Sequence, residues 1–438
     1  MNLYSHPDYS RYLTYEELIE SCRSKGVGEE LKLGLSKEKR VIFGFKIGYG
    51  TKRALIYGEP HAEEVVGTLT VDYLLNEFQH HSDILSQWEF ILIPTIDPDG
   101  LERNKIWIKQ SFDPELFILT HYHRPDEEDI DWCFPISTRF YRFNKPPKET
   151  KILIKLIKNF KPHFYSSLHC IHFSGIHFYA TENKESLFDE IERFVSNETE
   201  IPIQKGVPFF AEKDWAYRDG FYKVIGTIDQ IELIQDKISL KDLRRGECGP
   251  IYYKSHIPNG FAFIPEVPML YSPKLNITEE TDKTLVKTRI RGSYILLETV
   301  ELIQDYWNNY KSKFNKRHYQ YPKIKEIATT WKDEIISEIR DLHSHNDNVK
   351  ALFNEVYSNE IIVKYNNSLI LGQLYQLIEN SSQLSHCEKE AMKEEIIAQI
   401  HSIIEETTTK GEIKISNIDD LVKIQAYSIL TATDILSQ

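Results

Sequence analysis

Short apolar runs alternate with segments of helical period along most of the chain, and this alternation restricts the fold more than any other feature. "RALIYG" (53–58), "FILIPT" (90–95), "HFYSSLH" (163–169), "IHFYAT" (176–181) and "GFAFIPEVPM" (260–269) read as strands, most of them buried, and "RVIFGFKIG" (40–48) is a further strand that joins "RALIYG" through a glycine-containing turn. Between them, apolar residues recur at helical spacing from Ala62 to Phe78, in "KETKILIKLIKNF" (148–160), around 184–197 and over 281–307. A helix over 13–25 starts at Thr14, with Glu17 placed for a capping box. Buried strands interleaved with helices predict an α/β layer fold with a mixed, mostly parallel sheet.

The pattern changes after residue 312. "NYKSKFNKRHYQYPK" is basic, polar and proline-containing, as a linker is, and residues 323–438 are helical throughout. The expected division is a domain over 1–312 and an all-α appendage over 323–438. The charged faces of that appendage read as solvated helix surface, available to a protein partner or to self-association.

Composition excludes several functions. Acidic residues outnumber basic ones, 66 to 53, for a net charge of −13, which argues against nucleic acid as a partner. No apolar stretch is long enough to span a membrane, and the N-terminus lacks the basic-then-apolar pattern of a signal peptide. The five cysteines are scattered without CxxC spacing, which fits a reducing, cytoplasmic setting.

Within "ALIYGEPHAEEVVGTLTVDYLL" (54–75), His61 and Glu64 form the one H-x-x-E of a chain with 16 histidines. Both sit where a buried strand hands over to a helix. Side chains three apart on a turn can reach one ion, and the carboxyl ends of such strands are where ligands bind. The plainer alternative is a loop histidine beside helix-capping acids. A zinc site with an open position needs a third ligand. His169, at the end of its strand, is the best placed; His163 is at the wrong end, while His172 and His177 compete. Glu266 is an acid among apolar residues and two prolines, and is either paired, functional or on an exposed edge.

In order, "LTYEELIESC", "VIFGFKIG", "ALIYGEPHAEEVVGTLTVDYLL", "FILIPTIDPDGLERNKIW", "PPKETKILIKLIKNFKPHFYSSLH" and "GFAFIPEVPM" resemble the zinc carboxypeptidase family over about residues 11–305. The resemblance implies a sheet of about eight strands flanked by helices. It implies one zinc ion per chain on His61, Glu64 and His169, with Glu266 as the catalytic acid–base. It also implies a peptide as substrate. The fifty or so residues before the zinc motif's strand leave no room for the family's inhibitory prodomain, so the expected product is active as made, inside the cell.

Departures from the family pattern fall on the substrate pocket. Ile108 stands where the family has an arginine that stabilises the oxyanion, and Arg103, Lys105 and Lys109 are near in sequence without replacing it. The carboxylate-binding pair aligns with Thr138-Arg139 or with Tyr141-Arg142, and neither alignment keeps the asparagine or a preceding aspartate. Tyr252 or Tyr253 matches the family's substrate tyrosine. Ordinary surface and packing roles remain open for all of these. Two other functions stay in view: an N-acyl amino-acid deacylase of the aspartoacylase kind, and an inactive peptidase-fold binding protein.

Overall fold

The computed structural model describes residues 2–206, 215–229, 245–344 and 348–438. By spatial clustering the chain forms two compact units, one of residues 1–112, 122–269 and 416–438, the other of 113–121 and 270–415. The borders differ from the expected 312/323 division. Helix Leu285–Tyr310 falls in the second unit, and helix Ile418–Ile435 falls in the first.

The first unit is built on strands β1 (Glu29–Leu35), β2 (Val41–Ile47), β3 (Lys52–Gly58), β4 (Trp88–Ile93), the hairpin pair β5 (Ile136–Ser137) and β6 (Arg142–Phe143), β7 (Phe164–Phe173), β8 (His177–Ala180), β9 (Ala216–Arg218), β10 (Phe221–Lys223) and β11 (Phe261–Tyr271). Apart from the hairpin they follow one another in a single mixed sheet, in the order β1-β2-β4-β3-β7-β11-β8-β10-β9. That path holds nine strands, against about eight anticipated. β3 is parallel to both β4 and β7, while β2 is antiparallel to β4 and β8 antiparallel to β11.

Burial explains which strands the sequence revealed. Ala54 to Tyr57 in β3 and Phe90, Leu92 and Ile93 in β4 are wholly buried, with helices on both faces, so no alternation shows. β1, "EELKLGL", lies at the sheet edge with its charged residues exposed, as edge strands that resist further pairing do. It left no apolar signal. The helix over 148–160 matches its expected bounds, and the first helix, Tyr15–Ser24, opens with Thr14 N donating to Glu17 Oε2 at 2.9 Å.

β3 is a switch point. The chain leaves it for β4 on one side and later returns as β7 on the other, which opens a crevice beyond their carboxyl ends. Helix Val66–Glu77 packs unusually close there. A Cβ on Gly67 would lie 2.6 Å from Leu168 O, and one on Gly58 would lie 2.5 Å from Gly67 C. Only glycine permits that approach.

The second unit is mostly helical. Its long helices Leu285–Tyr310, Val363–Glu379 and His386–Gly411 bury Ile295, Leu371, Leu374, Ile396 and Ile400 between them. Asn367 Nδ2 donates to Ile295 O at 2.9 Å, and Gly372 lets helix Pro114–Thr120 approach at Ile118. No helix among the described residues is long and apolar enough to cross a membrane.

Candidate metal centre

β3 ends at Gly58, whose partner on β7 is Leu168, so His169 is the first residue beyond the β3 ladder. His61 follows β3 in the loop, and Glu64 precedes the close-packed helix. The register thus brings residues far apart in the chain to one place. One ligand atom from each of His61, Glu64 and His169 lies within 4.8 Å of the others.

The Glu64 carboxylate sits between the two imidazoles. His61 Nδ1 is 2.7 Å from Oε1, and His169 Nδ1 is 2.8 Å from Oε2. The His169 contact lacks hydrogen-bond geometry, and Nδ1 is left buried without a hydrogen-bond partner. A lone pair and a carboxylate oxygen that meet without bonding suit a common cation, and two imidazoles with one carboxylate are a donor set that zinc accepts. The residues present therefore fit the ion.

Each ring's other nitrogen faces an aspartate: His61 Nε2 lies 3.5 Å from Asp129 Oδ2, and His169 Nε2 lies 3.4 Å from Asp131 Oδ2. Asp131 is held in turn by the hydroxyl of Tyr57 at 2.6 Å, and Tyr57 meets Tyr165. Asp129 accepts from the backbone N–H groups of Asp131 and Trp132. Such partners fix ring orientation and raise ligand basicity. The sequence reading sought an orienting aspartate beside Arg139 or Arg142 and found none. The structure supplies two from "EEDIDW", just upstream. The available signal was Ile130, fully buried between two acids in an otherwise charged run.

Electrostatics bind the group together. Burial pushes the Glu64 carboxyl up, but the His61 and His169 imidazoles outweigh it and hold it well below the usual range. For His169, burial pulls down while Glu64 and Glu266 push up, to about 10. Glu266 lies on β11, with Oε1 3.7 Å from His169 Nδ1. Burial lifts its carboxyl to about 8, opposed by His169 and reinforced by Glu64. A second pair adjoins the site: His123 Nδ1 is 2.6 Å from Glu63 Oε1, and the His123 ring centroid is 6.3 Å from that of His61. From the sequence Glu63 read only as a helix-capping acid, and His123 was not singled out.

Of the remaining candidates, His172 is near enough to Glu63, Glu64, His123 and His61 to feel their charges, and burial holds its imidazole below the usual value; the others take other roles. His163, at the start of β7, accepts from Arg53 N at 3.0 Å. His177 faces Glu266 across the β8–β11 register and bonds Gly175 O, and burial holds its imidazole down to about 4. Tyr253 is a core residue: its hydroxyl donates to His163 O at 2.9 Å, and its ring stacks on Tyr165. Tyr252 packs in the same core against Phe134. Arg139 and Arg142 are exposed on the β5–β6 hairpin and form no ion pair among the described residues; Arg139 lies over Phe140. Ile108 is fully buried, Arg103 pairs with Glu38, and Lys105 pairs with Glu102. In the "DPDG" segment Asp97 caps helix Pro98–Arg103 and pairs with buried Arg124, a structural role.

A zinc carboxypeptidase family model matches residues 25–231, a span that includes His61, Glu64 and His169 and stops before Glu266. Carboxypeptidase B of Astacus astacus is 41% identical over 105 residues, 21% of this chain and 35% of that protein. Zinc carboxypeptidase A 1 of Anopheles gambiae is 29% identical over 119 residues, 23% and 27% of the two chains. An inactive metallocarboxypeptidase, ECM14, of Paracoccidioides brasiliensis is 29% identical over 126 residues, 25% and 21%. The chain thus spans about a third or less of these relatives. Among solved structures, a metallo-carboxypeptidase from Pseudomonas aeruginosa shares 14% identity, 59% of this chain and 60% of its own, at a TM-score of 0.36. Bovine thrombin-activatable fibrinolysis inhibitor shares 13%, 58% and 86%, at 0.37. Neither score bears on the fold, which the strand order establishes by itself. Over residues 25–231, a little under half of its length, the chain matches the zinc carboxypeptidase family.

Proposed function

We propose that the protein is a zinc-dependent hydrolase of carboxypeptidase type, acting on a peptide or peptide-like amide bond near a free carboxylate. The observation that carries this reading is the convergence of His61, Glu64 and His169 with a second carboxyl, Glu266, beside them. His61, Glu64 and His169 would hold the ion. Zinc, when bound, supplies Lewis-acid polarisation of a carbonyl and acidifies water. Glu266 takes the proton of the attacking water on its carboxylate and returns a proton to the leaving nitrogen. Asp129 and Asp131 keep both imidazoles oriented during that exchange. Arg139 or Arg142, exposed and unpaired among the described residues, is suited to a bidentate grip on the substrate carboxylate.

The test is hydrolysis of peptides with free and with amidated C-termini, alongside N-acyl amino acids, with and without chelator and in Glu266→Gln. We expect that variant to keep its zinc and lose about 10²–10⁴-fold in kcat. Undiminished turnover removes Glu266 from this role. Preference for acyl amino acids over peptides replaces the substrate class. Stoichiometric zinc with no turnover on the whole panel identifies a non-catalytic member, as ECM14 is named to be.

A further inference from the structure

The helix Ile418–Ile435 lies outside the family match, yet one of its side chains reaches the candidate metal centre. Gln425 is fully buried, and its Nε2 donates to the backbone carbonyl of His169 at 2.6 Å. Its Oε1 accepts from Thr70 Oγ1 at 2.7 Å, on the helix that follows Glu64. Pairing between β3 and β7 stops at Leu168, so the peptide group joining His169 to Cys170 lies past the end of that ladder. Side chains hold it at both ends: Gln425 takes the carbonyl, and Glu64 Oε2 accepts from Cys170 N at 3.2 Å. The tilt of that peptide plane sets the direction in which the His169 imidazole leaves the strand.

We propose that Gln425 is a positioning residue for the metal site, holding the His169 peptide so that Nδ1 meets the ion. The proposal rests on the zinc reading of His61, Glu64 and His169. It requires the amide to be oriented in one sense, and the His169 carbonyl provides this, because it can only accept: it takes the NH₂ and leaves the Gln425 oxygen for the Thr70 hydroxyl. The role is separable from ordinary helix packing. Two residues further on, Tyr427 stacks on Phe194 at 3.8 Å, away from the His169 and Thr70 groups that hold Gln425.

Zinc affinity, measured by competition with a chromophoric chelator, and the visible spectrum of the cobalt-substituted protein test it on the full chain. In Gln425→Leu we expect affinity to fall by about 10–100-fold, the usual cost of removing an outer partner of a ligand, with a changed cobalt spectrum. Thr70→Val should show a smaller fall in the same direction. Tyr427→Leu should lower the Tm of the zinc-free protein with affinity and spectrum unchanged. Unaltered affinity and spectrum in folded Gln425→Leu overturn the proposal, as does an equal loss in Tyr427→Leu. If the wild-type protein itself takes up no zinc, the underlying reading fails instead.

Discussion

Glu77 shows how one side chain can tie down a terminus. Its carboxylate accepts from Tyr4 N at 2.8 Å and Ser5 N at 2.9 Å, and His81 lies 3.7 Å away. Burial pushes this carboxyl up, but His81, Ser5 and the two N–H groups bring it down to about 2. A depressed folded value means that its stabilisation is complete above the unfolded value of about 4.3 and is lost as pH falls toward 2. Glu77→Gln should therefore cost about 1–3 kcal/mol at pH 7, with the gap to wild type closing between pH 4 and 2 in stepped-pH urea titrations. Asp131→Asn belongs to the same scale. It removes the charge facing His169 Nε2 and leaves Tyr57 a weaker acceptor, so zinc affinity should fall about 10–100-fold in the same competition assay. Ligands were easier to find in the sequence than the residues that orient them. His61 and Glu64 declare themselves by spacing and by following an apolar strand. Asp129 and Asp131 sit in a run of acids that resembles any solvated loop, and only the folded chain shows them against the imidazoles.

Among the elements, β3 and β4 were legible because strands buried on both faces read as apolar runs, and β7 and β11 stood out by their aromatic and apolar residues despite Ser166, Ser167, His169 and Glu266. The charged edge strand β1 was not, and the short strands β9 and β10 carry too few residues to show a period. Helix Ile418–Ile435 was visible as a helix, yet nothing in its own sequence says that it packs beside Val66–Glu77 and not with the helices that precede it. Local pattern specifies an element, and long-range packing assigns its place. The closeness of Val66–Glu77 to the sheet gives a sharp test. In Gly67→Ala the new methyl meets Leu168 O at 2.6 Å and Leu168 Cβ at 2.7 Å, with no flexible atom to yield. The helix must withdraw, so we expect about 1–3 kcal/mol of destabilisation and weaker zinc binding, because Glu64 moves with the helix. Calorimetry and chelator competition read the two effects separately.

At the scale of the molecule, most of the second unit, residues 270–415, is a single insertion in the sequence of the first. Met269 and Ser416, the residues that flank the insertion, are joined by a hydrogen bond from Ser416 N to Met269 O at 3.0 Å. The candidate ligands all belong to the first unit, so zinc should stabilise that unit. At free zinc about 100-fold above Kd the gain is about 2.7 kcal/mol, read as a rise in its unfolding temperature that chelator reverses. The insertion also sets the order of assembly on the ribosome. His169 and Gln425 are separated by 256 positions, so at about 5–20 residues per second the nascent chain waits roughly 13–50 s between making one and the other. Through that interval every candidate ligand has been synthesised while the amide proposed to brace His169 has not, so the centre matures only after residues 270–415 have been made.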